Sequence, residues 1–440
     1  MEKNELLSRV KLEQRDKEVK PQSLYEVMQK VSDKRKRRGK RYSAGLLLTL
    51  ILLAKMCGER TAKGVAKWVR LHEKEIREAL PFYRPGVPCA NTYQSMSDHC
   101  NPREVSELAG QFFAEQHQLR EKAAQVERGA AESSATVTTT PSAQRGNEQK
   151  EQEAGKIPPP APVAFPQEHW VIDGKSQRGS RRQRPQPKAA QYTLGLYNAT
   201  RDYMIRQCEI PGKGHERRAA LSLIETTPLH NRLLSADALH THPDWCQRVL
   251  NQGGHYLLIA KANQPDLVDD ISFLFSAKPS PLFPEASAQT VDKAHGRLEI
   301  RRLRISSLLN EYLSPTWPMV AQVFQITRII TRKGKTSTEI SYGFTSLPAL
   351  SASPSYVLHA IRTHWRIENR SHWRRDVSLG EDKCLAAHGK TPQLFAALNN
   401  TFLALADFLH FKNLPDKIRE FQAHPPLALS FLLHPLSTFV

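Results

Sequence analysis

Three carboxylates in this sequence stand where the surrounding pattern would bring them together. Asp173 closes the short apolar run at 169–173, Asp237 closes a second at 232–237, and Glu368 falls in a helical stretch that begins at Ser353-Pro354. A carboxylate at the end of a buried strand projects into the opening of an α/β sheet. Val357, Ile361, His364, Glu368 and His372 are spaced by four, three, four and four residues, so they share one helical face, apolar at its start. An acid on that inward face is costly unless positive charge meets it. Three carboxylates can hold two hard cations about 3.5–4 Å apart, one activating a water or a 3′-hydroxyl, the other stabilising the oxygen that leaves a phosphodiester. Magnesium suits such a site because it takes oxygen ligands and keeps several waters, and manganese can substitute.

Taken singly, each acid is as readily a helix cap, a turn residue or an ion-pair partner. Asp376, Glu381 and Asp382 compete for the third position. Asp376 lies ~80° round the helix from Glu368, and Glu381 and Asp382 follow Gly380, a helix end. Glu368 is therefore the expected third carboxylate. His364, Glu368 and His372 also imitate a zinc site, although nuclease-type chemistry favours oxygen ligands.

The elements that must position these residues read as α/β from residue 167 to 440. Segments 192–199 and 203–210 are apolar and extended, with a turn at 198–202. Helices are expected at 215–226 and 243–252, and strands at 232–238 and 255–261. An extended, antiparallel block at about 275–350 precedes the last helices. Residues 1–120 read as a small helical domain, either a plain bundle or one containing a helix-turn-helix. Residues 121–166 are rich in Ser, Thr, Gln, Glu and Pro, and read as a flexible linker.

The formal net charge is +19, from 63 Lys and Arg against 44 Asp and Glu. A soluble chain this basic most often meets a polyanion, and nucleic acid is the first candidate. Candidate phosphate contacts are Lys175 and Arg178 beside the first aspartate, Lys261, Arg297 on a basic strand with Arg301, Arg302 and Arg304, and the run Lys34, Arg35, Lys36, Arg37 and Arg38. Trp365 and Trp373 read as core rather than as base-stacking platforms. Six scattered cysteines without a C-x-x-C pair point to reduced thiols in a cytoplasmic protein. The charged first twenty residues do not resemble a secretory leader, and the longest apolar run, 46–54, falls short of the ~20 residues needed to span a bilayer.

Four segments then resemble, in order and approximate spacing, those of the ISAs-type insertion-sequence transposases, which include the H-repeat-associated proteins. They are WVIDGKSQRGS (170–180), LLSADALHTH (233–242) with YLLIAKANQP (256–265), HGRLEIR (295–301), and HWRIENRSHWRRDVSLGEDKC (364–384). GVPCANTYQ (86–94) resembles the family's associated N-terminal domain. The resemblance implies a ribonuclease H-like mixed sheet with a β-rich insertion, and Asp173, Asp237 and Glu368 as a catalytic DDE triad. It implies a DNA transposase acting on double-stranded transposon ends and target DNA, as a homodimer on DNA, in the cytoplasm at the nucleoid. Related transposases carry a DNA-holding basic residue at the spacing of Arg375. Ser371, Arg374 and Arg375 depart from the family's apolar pattern. An inactive, domesticated DNA-binding protein and a simple nuclease of the same fold remain alternatives. If the positive charge faces DNA, affinity falls steeply with salt in a binding titration, and neutralising residues 34–38 weakens binding to all sequences alike.

Overall fold

The structure, a computed structural model, describes residues 22–36, 40–80, 82, 86–135, 166–181, 190–277, 285–294, 296–384 and 389–439. Nine strands form one sheet in the order β3-β2-β1-β4-β5-β9-β8-β7-β6. β1 (Glu168–Gln177), β2 (Gln191–Asn198) and β3 (Tyr203–Ile210) are an antiparallel meander. On its other side β1 runs parallel to β4 (Arg232–Ala236), which runs parallel to β5 (His255–Ala260). Parallel neighbours need crossovers, and helices Glu216–Glu225 and Pro243–Asn251 lead into β4 and β5. This is the expected ribonuclease H-like mixed sheet.

Side-chain alternation decides which face each residue serves. Ile172, Leu234, Ala236 and Leu258 pack on one face with Trp245 and Ile271. Leu233 and Leu257 pack on the other, against Val357 and Ile361 of helix Pro354–His364, while Val171 meets Ile367. Asp173 has the parity of Val171, so it belongs to the face covered by the helix that leads to Glu368.

The inserted strands are β6 (Ala286–Ala294), β7 (Arg297–Ser306), β8 (Gln322–Arg332) and β9 (Lys335–Thr345). They extend the main sheet, because β9 pairs antiparallel with β5 from Leu257↔Thr345 to Ala260↔Tyr342. β6 carries an exposed, polar pattern, as suits an edge strand.

Helix Ala44–Met56 is capped by Ser43 and buried along its whole length. Helix Ala62–Leu71 is capped by Thr61, whose side chain accepts from the Gly64 backbone N–H. Two expectations are corrected. The described residues between 22 and 120 do not keep a core to themselves: Leu50, Trp68 and Phe112 share one apolar core with Leu398, Phe402, Phe421 and Leu432 from the last helices. The linker does not begin at 121 either, since helix Pro102–Ala135 continues through its first part. Ala, Glu and Gln there are weakly apolar but good helix formers. A Cβ on Gly110 would lie 2.0 Å from the Ile205 carbonyl oxygen, so this helix rests directly on β3 and covers that sheet edge. Residues 136–165 of the expected linker lie outside the described residues. Among the described residues no helix is long and apolar enough to cross a membrane, and all six cysteines are free thiols.

Because the core is shared, a chain nicked by mild proteolysis between 136 and 165 is expected to elute as one particle on size exclusion, its halves parting only in denaturant. Separation under native conditions would show that the helical halves do not need each other.

Candidate active site

Asp173 does not end its strand, as the sequence reading had it. β1 continues to Gln177 because β2 still pairs with it, Asp173 lying opposite Gly195. What ends there is the parallel ladder, whose last pair is Ile172↔Ala236. Asp173 and Asp237 are the next residues on these neighbouring strands. The Asp237 carboxylate accepts from the Leu239 backbone N–H at 3.1 Å, starting a short turn, Ala238–His240.

The helix that brings the third acid changes winding as it arrives. Val357, Ile361 and His364 are buried as the spacing predicts, but Ile367–His372 forms a π-helical turn. The wider turn gives the core position to Ile367 and leaves the Glu368 side chain 51% exposed toward the cleft. π turns inside helices recur at functional sites. One ligand atom each of Asp173, Glu368 and His372 lies within 4.8 Å of the others. His372 Nδ1 stands 3.4 Å from Asp173 Oδ2 and 3.6 Å from Glu368 Oε2. Asp237 lies outside this trio, but with Glu368 it lines an open cleft of about 570 Å³.

Burial, then the charges of Glu368 and Asp237, push the Asp173 carboxyl up to about 8. Glu368 moves the other way: the neighbouring His372, 3.6 Å away, outweighs burial and lowers its pKa. Burial lowers the pKa of His372 and keeps its ring neutral near pH 7. A protonated, largely buried acid beside a neutral imidazole and a second carboxylate is a donor set short of positive charge, and a divalent cation would supply it.

The supports are buried. Ser235 Oγ stands 2.7 Å from His169 Nε2 and 2.9 Å from His364 Nδ1, tying the helix to β1 and β4. Burial drives both rings down, His169 to about 3 and His364 to about 4, so the chain of hydrogen bonds is uncharged. His364 Nδ1 is thereby engaged by Ser235, and the ligand atoms that group with Glu368 are those of Asp173 and His372, not of His364. Arg366 Nε donates to Asp202 Oδ1 at 2.9 Å, in the β2–β3 turn. Arg374 donates to both oxygens of Asp407 at 2.7 Å. Ser371 lies 3.4 Å from Asn400 Oδ1. The departures Ser371 and Arg374 thus have internal partners.

Several expected DNA contacts are corrected. Arg375 is 1% exposed and grips Glu381 with two hydrogen bonds, 2.8 and 2.6 Å; Glu381 also accepts from Asn399. That accounts for both Arg375 and the rival acid, which is committed inside the fold. Lys175 is buried against Asp376 at 2.6 Å. Arg35 is buried, paired with Asp33 and bonded to the Tyr42 carbonyl. Lys34, Lys36, Arg178 and Lys261 are exposed, and Lys261 and Arg297 line the cleft. Arg37, Arg38 and His295 lie outside the described residues. Trp365 and Trp373, read as core, are 54% and 56% exposed. His372 enters the sequence reading only beside Glu368, in a zinc-like set with His364; its approach to Asp173 is not foreseen there.

Residues 165–396 match the family described as the transposase DDE domain, and residues 25–113 match the domain described as associated with it. The chain belongs to this transposase family. It is 27% identical over 237 residues to the Escherichia coli K12 protein YbfL, and 26% identical over 237 residues to YhhI, an H repeat-associated protein of the same strain. Each match covers 52% of this chain and 61% of the relative, so the chain spans about three fifths of those relatives' length. A structure of the piggyBac transposase synaptic complex with hairpin DNA aligns over 62% of this chain and 54% of that one, at 12% identity and a TM-score of 0.33.

The folded chain keeps the Asp173 proton to about pH 8, whereas an unfolded chain releases it near 3.8. The folded state binds more protons across that window, so metal-free stability falls as pH rises through it. Comparing melting midpoints of the wild type and Asp173→Asn in EDTA, from about pH 5 to about pH 8, should show the wild type losing ground to the variant. Manganese should restore the wild type alone at the alkaline end. Parallel curves for the two proteins would contradict the protonated Asp173.

Proposed function

We propose that this chain is a DNA transposase that cuts and rejoins an insertion sequence by metal-assisted phosphodiester transfer. The observation that carries the reading is the convergence of Asp173 and Glu368 around His372, with Asp237 just past the end of β4 and lining, with Glu368, an open cleft. Asp173, Asp237 and Glu368 would hold two magnesium ions, with manganese substituting. Bound there, the metal lowers the pKa of an attacking hydroxyl and offsets charge on the leaving oxygen. In cleavage, water oxygen bonds to phosphorus as the bond from phosphorus to the 3′-oxygen breaks. In joining, a DNA 3′-hydroxyl oxygen bonds to a target-strand phosphorus as the bond from that phosphorus to its own 3′-oxygen breaks. His372, neutral and buried, orients the two carboxylates it faces, and the π turn presents Glu368 to the cleft while Ile367 anchors the helix. Double-stranded DNA enters on the exposed side, where Lys261 and Arg297 meet it.

Glu368→Gln keeps the volume and removes the charge a cation needs. It should reduce magnesium-dependent cleavage of DNA carrying the ends of the source element by at least about 10³-fold, while a binding titration changes less than about threefold. Retained cleavage would remove Glu368 from the site. Wild-type cleavage without joining would leave a nuclease of this fold.

A further inference from the structure

Across the cleft from Asp237 and Glu368 stands a second charged group, on the inserted strands. Glu299 of β7 is 2% exposed, yet three arginines converge on it. Arg297 Nη2 lies 3.1 Å from Oε2 and Arg301 Nη2 lies 2.6 Å from Oε1, where Arg328 of β8 also donates. Arg297, Glu299 and Arg301 alternate on one face of β7, and Arg301 sits directly opposite Arg328. Like charges opposite one another in a sheet repel, so the pair needs an anion between them. Burial alone would raise the Glu299 pKa, but the Arg328 hydrogen bond and the charges of Arg301, Arg328 and Arg297 hold it below the usual value.

An ion cluster that only joined strands would have its arginines consumed. Here Arg297 and Arg328 remain 45% and 39% exposed, and all three arginines line the same cleft as Asp237 and Glu368. Each guanidinium has five N–H donors, and planar forks suit phosphate. Arg301 also holds Asp292 at 2.6 Å, and Arg328 lies 3.7 Å from the exposed Glu339. Arg297 and Arg328 therefore present the open edge of the cluster.

We propose that Arg297 and Arg328, fixed in place by buried Glu299, form a phosphate-binding wall that holds the backbone of the DNA strand lying across the carboxylate site. Glu299 acts through the arginines and is a positioning residue. The inference rests on the reading of the cleft as a DNA site, and its main test does not depend on cleavage.

Binding of a fluorescein-labelled duplex of arbitrary sequence is measured in EDTA over a range of salt. The double variant Arg297→Gln/Arg328→Gln should reduce the slope of log affinity against log salt by about two, and Arg297→Gln alone by about one. Arg297→Lys/Arg328→Lys, which keeps the charge, should hold the wild-type slope. Glu299→Gln adds net positive charge, so it should bind at least as tightly as the wild type. With manganese it should nick supercoiled plasmid at least about tenfold more slowly, because the arginines are no longer aimed. A double Gln variant with the wild-type slope and melting point overturns the proposal. So does a Glu299→Gln protein that melts early and binds DNA more weakly, the mark of a cluster that only staples β7 to β8. If the double variant melts early, Arg297→Gln, the most exposed of the three, decides. A wild type that binds with these slopes but never cleaves fails the catalytic reading and leaves the wall standing.

Discussion

Repulsion among acids at the end of a parallel ladder sets the terms for this protein. Asp173 is buried far enough, and near enough to Glu368 and Asp237, that its carboxyl is held up to about 8. An arrangement that repels itself persists only if the surrounding structure over-determines it. The Ser235 link between His169 and His364 holds the helix to the strands with uncharged groups. On the same stretch of helix, Arg366 and Arg374 are tied to Asp202 and Asp407. These bonds hold the helix on both sides of Glu368, whose carboxylate faces His372. On the proposed reading, the same bonds preorganise the acids for a cation.

Much of this was legible in the residues. Strand alternation puts Asp173 on the face of helix Pro354–His364, and the spacing from Val357 carries that face on toward Glu368. The winding change at Ile367–His372 was not legible. A helical pattern has no local signal for one wider turn, and the reading that assumed 3.6 residues per turn placed Glu368 deeper than it sits. The basic residues were misread for a different reason. Whether a lysine meets solvent or a carboxylate depends on partners far along the chain: Asp376 is 201 residues from Lys175. Composition reports that charge is present and is silent on whether it is already spent. The tryptophans erred in the opposite sense, since apolar bulk beside a motif was taken for core.

The inserted strands change what kind of site this is. An appended hairpin could move apart from the acids. Here β9 is hydrogen-bonded to β5, and the charged face of β7 and β8 is part of the same sheet that carries Asp173. The two walls of the cleft therefore share a backbone frame. Their separation is set by sheet geometry and by the helix that lies across it, with Arg362 of that helix reaching Asp292 of β6 at 3.1 Å. Precision at the carboxylates and precision at the opposite wall are one structural property.

The core shared by the first and last helices has a consequence in time. Lys55 donates to Asn399, 344 residues later, and Cys57 donates to the Phe421 carbonyl, 364 residues later. At a ribosome's pace the early helix is made roughly 20–70 s before its partner exists. Through that interval the apolar helix Ala44–Met56 has no complete core to enter, and it is a ready target for chaperones or for aggregation.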